Sequence, residues 1–197
     1  LKSENVTKDK ILMTAAELFA DVGYENASMR LIAERCQITK PALYYYFSDK
    51  KALFLEIIHN CLQYGKESLQ KITESQLPPI DKLVALIDSR FTTFKQHPAI
   101  GRFFHVTLSG NVPKEFREAL FNDLKIYTDC IRKVLQEGIQ TGVFRDDLDE
   151  TSFMAALIGG MNVLIVRYLK LGLGDLSPQM AQQFIATLVK GILKKDE

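Results

Sequence analysis

The 197 residues are 47% apolar and 25% charged, an ordinary balance for a globular chain with enough apolar material for a sizeable core. A net charge of +1 excludes inferring a nucleic-acid partner from composition. Cys36, Cys61 and Cys130 form no C-x-x-C pair and His59, His97 and His105 lack ligand spacing, so neither a disulfide framework nor a zinc site is suggested and a reducing compartment fits.

The N-terminal LKSENVTKDK is polar, without the apolar stretch of a secretory signal, and Leu1 in place of Met suggests an altered or trimmed start. Ile11, Ala15, Phe19 and Val22 then recur at i, i+4, i+8 and i+11, a helix face ended by Gly23. Ser28 is a good N-cap for a short second helix whose apolar set is Met29, Ile32, Ala33 and Cys36. Thr39 caps a third, with Pro41 in its first turn, where a missing N–H is harmless. A fourth helix starts at Ser48 and runs through Phe54, Ile57, Ile58, Cys61 and Tyr64 to a break at TESQLPP, residues 73–79. Further helices are expected at about 80–96, 98–109, 113–141, 150–171 and 178–195. The stretch FMAALIGGMNVLIVRYL, residues 153–169, is nearly all apolar up to Arg167, yet it is shorter than the ~20 residues a membrane span needs and carries Asn162. It reads as a buried helix of a core or a subunit interface, with no membrane partner. The fold class is all-α.

Two short helices joined by a tight turn, the second entered through Thr-Lys-Pro, make a helix-turn-helix candidate. Its second helix lies in TKPALYYYFSDKK, residues 39–51. Taking Leu43 as the centre of the inner face, ~100° per residue places Phe47 at about 40° and Tyr46 at about −60°. Tyr44 falls on the flank, while Tyr45 and Pro41 point away. Exposed tyrosines suit a phosphate backbone, since the hydroxyl donates to a phosphate oxygen while the ring packs on sugar or a thymine methyl. Over residues 26–51, Arg30, Arg35, Lys40, Lys50 and Lys51 face only Glu34 and Asp49, a local charge of +3.

The segment SMRLIAERCQITKPALYYYFSDKKALF resembles the DNA-binding domain of the tetracycline-repressor (TetR) family of bacterial regulators. Ile32, Ala33, Ile38, Thr39, Leu43, Tyr44, Tyr46, Phe47, Lys50 and Leu53 match the family pattern. The resemblance implies about nine helices: a three-helix DNA-binding domain over 1–53, then a larger ligand-binding and dimerisation domain over 54–197. It implies a cytoplasmic homodimer that binds a palindromic operator in double-stranded DNA, with no cofactor. It also implies that Ser28 holds a phosphate and that Lys40, Pro41, Tyr44, Tyr45 and Tyr46 form the recognition surface. Lys50 would clamp a further phosphate, with Arg30 as an extra contact. Two departures stand out. Gln37 replaces the usual turn Gly, at a modest cost if that position needs positive φ. Lys51 replaces a common Glu that would complete a capping box with Ser48, leaving either an added phosphate contact or a tolerated surface substitution.

In the C-terminal half, the small residues Ala155, Ala156, Gly159 and Gly160 and the stripe from Met180 to Ile192 suit an interface of the last two helices with a second copy, or else a single subunit's core. Phe91, Phe94, Arg102, Phe104, His105, Tyr127, Met161 and Asn162 are candidates for an apolar or amphipathic small-molecule effector, the alternative for each being ordinary core. Such an effector would act by population shift, in repression or activation. No G-x-S-x-G, P-loop, H-E-x-x-H or paired carboxylate supports an enzyme, and the acidic group Asp146, Asp147, Asp149 and Glu150 fits a loop and helix start. The remaining alternative is a helical interaction module of the same fold without specific DNA binding.

Overall fold

In the computed structural model of the chain, residues 2–109 and 112–192 are described, with side chains given except at 2–6, 61–65, 109, 122 and 123. The described residues form nine helices: α1 (Lys2–Asn26), α2 (Met29–Cys36), α3 (Lys40–Tyr46), α4 (Lys50–Glu74), α5 (Pro79–Gln96), α6 (Pro98–Ser109), α7 (Lys114–Gln140), α8 (Glu150–Leu171) and α9 (Pro178–Val189). The chain is all-α, as its periodicity predicts. The side chains of Cys61 and Tyr64, expected on the apolar stripe of α4, and residues 193–195, expected in the last helix, lie outside what is described.

Local chemistry sets the boundaries. Gly23 breaks α1 at φ 81°, ψ 165°, a backbone region that only glycine enters readily. Ser28 caps α2 by accepting from the Leu31 N–H at 3.1 Å, and Thr39 caps α3 by accepting from Ala42 at 3.3 Å. The expected start of α4 at Ser48 is corrected by one residue. The Asp49 carboxylate accepts from the Ala52 N–H at 2.7 Å, so Asp49 is the cap and Lys51 stands at the second helical position, outside any capping box with Ser48. Asp149 and Ser177 cap α8 and α9 in the same manner.

Gln37 closes α2 in the left-handed region, φ 58° and ψ 41°. Its N–H donates to Glu34 O and the Ile38 N–H to Ala33 O, the two bonds of a Schellman motif. The turn therefore does require the positive φ that glycine adopts most cheaply, and Gln37 carries the strain of a Cβ there.

The chain divides into two compact units, residues 1–63 with 97–123 and residues 64–96 with 124–197. The first is organised around aromatic rings. Phe54 of α4 stacks on Phe116 of α7 with centroids 4.3 Å apart and meets Phe103 of α6 at 4.7 Å and Phe19 of α1 at 4.9 Å. Tyr24 sets its ring edge-on to Phe54 and Phe116. Burial of each phenylalanine contributes about 1.5–3 kcal/mol, and the ring geometry adds roughly 0.5–1.5 kcal/mol per pair. These rings join α1, α4, α6 and α7 behind the helix-turn-helix.

In the second unit α5 packs on α9 and α8. Lys82 of α5, only 5% exposed at its side chain, points both its bonds at the Glu137 carboxylate of α7, 2.7 and 2.9 Å away. Gly138 lies directly beneath Phe144, where a Cβ would come within 2.1 Å of the ring. Gly160 of α8 likewise faces Phe184 of α9, while Gly159 opens to empty space. The paired glycines thus serve different surfaces, one inside the subunit and one outside it.

Replacing Gln37 with glycine removes about 1–2 kcal/mol of left-handed strain and returns part of it as unfolded-state entropy. The expected net gain is roughly 0.5–1 kcal/mol, a rise of about 1–4 °C in thermal denaturation for a chain of this size. A lower melting temperature would show that the Gln37 side chain makes an offsetting contact.

Candidate nucleic-acid interface and ligand-binding residues

The helix-turn-helix is braced from behind. Met29, Ile32, Ala33 and Cys36 are buried on one face of α2, and burial pushes the Cys36 thiol pKa up. On α3, Leu43 is fully buried and Phe47 nearly so, which fixes the direction of every other side chain on that turn. Tyr46 is half-buried at the edge. Tyr44 is 45% exposed and Tyr45 76% exposed, with Lys40 and Pro41 exposed beside them. The Tyr45 and Tyr46 rings meet edge to face at 5.2 Å, and the Lys40 ammonium sits 5.9 Å over the Tyr44 ring. The consecutive tyrosines therefore divide as helix geometry requires, one toward the core edge and two into solvent.

The other candidates stand around this face. Ser28 is exposed, and with its oxygen accepting from Leu31 its hydroxyl hydrogen remains available to donate. Arg30 is exposed and pairs with Glu34 one turn on, at 3.0 Å. The two lysines at the start of α4 are turned to protein partners. Lys51 Nζ lies 2.7 Å from Glu115 Oε2 in the first turn of α7, and that hydrogen bond raises the lysine pKa. Lys50 Nζ donates to the carbonyl oxygens of Tyr24 at 2.7 Å, Ala27 at 2.9 Å and Glu25 at 3.4 Å, directly over the Tyr24 ring. Burial, then the carboxylates of Glu25, Asp49 and Glu115, raise the Tyr24 phenol pKa. Sequence pattern alone, being blind to long-range partners, shows neither the carbonyl cluster nor Glu115.

The eight residues named for an effector divide between the two units. Arg102, Phe104 and His105 lie on α6 in the first, with Phe104 buried and the other two half-buried. Phe91, Phe94, Tyr127 and Met161 are buried in the second. There the Tyr127 hydroxyl contacts Met161 Sδ at 3.3 Å and Leu86 O at 3.5 Å, and burial pushes its pKa far up. Asn162 is exposed on the outer face of α8 and does not join that group. Arg90, which sequence pattern did not single out, does join it: its guanidinium stands 4.6 Å over Phe94 and 5.4 Å over Tyr127. The signal was there, because Leu86, Arg90 and Phe94 follow i, i+4, i+8 and put a cation in an apolar stripe. Among the described residues, no His, Cys, Asp and Glu side chains gather into a metal-holding group.

Two family models together cover most of the chain. Residues 11–57 match the bacterial regulatory proteins of the tetR family, and residues 76–192 match the tetracyclin repressor-like C-terminal domain. The chain belongs to the TetR family. It is a helix-turn-helix transcriptional regulator, not an enzyme. Similar TetR-family proteins include the transcriptional repressor KstR2 of Mycolicibacterium smegmatis, 30% identical over 94% of this chain and 90% of that protein. KstR2 of Mycobacterium tuberculosis is 26% identical over 97% of this chain and 95% of its own length. Among solved structures, the fatty acid degradation regulator FadR from Bacillus halodurans superposes with a TM-score of 0.82 at 19% identity, covering 94% of this chain and 95% of that one. FadR from Bacillus subtilis, solved in complex with stearoyl-CoA, gives 0.80 at 21% identity, with 93% and 98% covered. At these identities the two structures speak for the TetR fold. The apolar helix α8, long enough by length and composition to cross a membrane, belongs to that fold's C-terminal domain and buries Phe153, Met154, Leu157, Met161 and Ile165 along one face.

Glu115 competes with any phosphate for Lys51. Glu115→Gln is expected to release the ammonium and steepen the dependence of DNA affinity on salt, by up to about 0.9 in the log–log slope per lysine recruited. Affinity measured across a salt series reads this directly; an unchanged slope places Lys51 out of reach of the backbone.

Proposed function

We propose that the chain is a homodimeric repressor that binds a two-fold-symmetric operator and is released from it by an amphipathic effector, with long-chain acyl thioesters as the leading class. Residues 1–53 read the DNA; residues 54–197 carry the effector site and the dimer contact. The observation that carries the reading is the pair of exposed rings, Tyr44 and Tyr45, held outward by the buried Leu43 and Phe47 with Lys40 alongside. A solvated surface gains nothing from two such rings, whereas a phosphate backbone offers each hydroxyl an acceptor and each ring a sugar or methyl face. Ser28, Arg30, Pro41 and Tyr46 border the same surface.

The effector class is supported by the buried aromatic and thioether side chains of the second unit, with Arg90 and Tyr127 as polar groups among them, and by the stearoyl-CoA bound to a protein of the same fold. The dimer contact is supported by the outer face of α8. Ala155, Ala156 and Gly159 keep it low, and Val163 is 58% exposed on it. A low face of this kind on α8, beside α9, suits a symmetric four-helix contact with a second copy.

Selection from a random duplex library tests the reading. The expected result is a two-fold-symmetric site whose affinity falls steeply with salt. Tyr45→Ala should weaken that affinity about tenfold or more, equivalent to about 1.4 kcal/mol. The same complex, titrated with stearoyl-CoA, stearate and coenzyme A separately, should dissociate with the thioester at the lowest concentration. Failure to enrich any site from well-folded protein would overturn operator reading altogether.

The dimer contact has its own test. Val163→Glu places a charge on the exposed face of α8 and leaves the buried face untouched, so helicity should be retained while sedimentation shifts to half the mass. Unchanged mass at micromolar concentration would move the interface elsewhere.

A further inference from the structure

We infer that Lys50 is a positioning residue for DNA reading: its ammonium gathers the broken end of α1 and thereby sets the direction in which Ser28, α2 and α3 are presented. The inference rests on the operator-binding reading given above and assigns Lys50 a task other than clamping phosphate.

The geometry begins at Gly23, whose non-helical backbone kinks α1 just before its last residues. A helix that stops leaves its last carbonyls without intrahelical N–H partners. Here the carbonyls of Tyr24 and Glu25 at the end of α1, and of Ala27 just beyond it, converge instead on one atom, Lys50 Nζ, at 2.7, 3.4 and 2.9 Å. An ammonium has three hydrogens, and these three acceptors use all of them. The Tyr24 ring closes the site from one side with its centroid 4.2 Å from the nitrogen. A cation at the start of α4 opposes that helix's own dipole, but delivered to the carbonyl end of α1 it meets partial negative charge. The side chain thus carries its charge from an unfavourable helix end to a favourable one. The residue after Ala27 is Ser28, the cap of α2, so the clamp fixes the backbone immediately before the helix-turn-helix.

A phosphate clamp and a positioning clamp predict different salt behaviour. Lys50→Met keeps the aliphatic stem and removes the donors. The expected result is a melting temperature lower by about 4–8 °C, since charge-assisted bonds to half-buried carbonyls are removed. Well below that transition, operator affinity should fall about tenfold or more with the salt slope unchanged. Lys50→Arg, which keeps the charge in a planar fork that cannot direct three N–H groups onto converging carbonyls, should fail to restore affinity.

Three outcomes would overturn the inference. A slope shallower by about 0.9 per half-site with an unchanged melting temperature would assign Lys50 to a phosphate. Full affinity in Lys50→Arg would do the same. A lower melting temperature with unchanged affinity of the folded protein would make the residue stabilising only. If the wild-type chain enriches no DNA site, the function reading fails separately. Amide exchange then still reads the clamp: faster exchange at Ala27 and Leu31 in Lys50→Met supports it, and unchanged exchange refutes it.

Discussion

The end of α1 is the constraint on which the DNA-facing half depends. A helix of this length has to stop before the chain can turn into α2, and stopping leaves polar carbonyls beside a core of phenylalanines. Glycine supplies the turn, Lys50 supplies the donors, and Asp49 supplies an acceptor for the N–H groups of α4 from which Lys50 springs. Two helix ends, one short of donors and the other short of acceptors, are completed by the adjacent residues Asp49 and Lys50 at the start of α4. The rings of Tyr24, Phe54 and Phe116 then lock the same region from beneath, so polar and apolar terms hold one geometry.

Much of this was legible before any coordinates. Amphipathic spacing located every helix, and Ser28 and Thr39 announced their caps because side-chain capping is a local event within three residues. Gln37 was legible too, since departure from glycine at a turn points to the one backbone state that glycine favours. The shift from Ser48 to Asp49 shows the limit of local rules: both side chains can cap, and the hydrogen bond from the Ala52 N–H goes to Asp49. The partners of Lys50 and Lys51 were not legible, because residues 23–26 and 64 positions away meet only through the fold. Arg90 was legible and overlooked, a cation in register with Leu86 and Phe94.

The same contacts change what the local charge means. The +3 of residues 26–51 describes the formal charge, whereas the field available to DNA depends on where each cation is held. Arg30 faces Glu34, Arg35 faces Asp21 at 3.7 Å, Lys51 faces Glu115, and Lys50 is turned onto carbonyls. These commitments differ in strength. The Arg30–Glu34 pair is exposed and such pairs are worth about 0–1 kcal/mol, so a phosphate would displace the carboxylate at little cost. Lys50 is half-buried with all three donors engaged, and releasing it would expose the end of α1 again. On the proposed operator-binding reading, neutral donors on Ser28, Tyr44 and Tyr45 would therefore carry a larger share of backbone contact than the charge count suggests. Neutral donors release no counterions, so such a surface would trade raw attraction for contacts whose direction is set by buried Leu43 and Phe47. On that reading, discrimination would rest on how rigidly α3 is aimed, and the contacts of Lys50 with the carbonyls of Tyr24 and Ala27 would contribute to that rigidity.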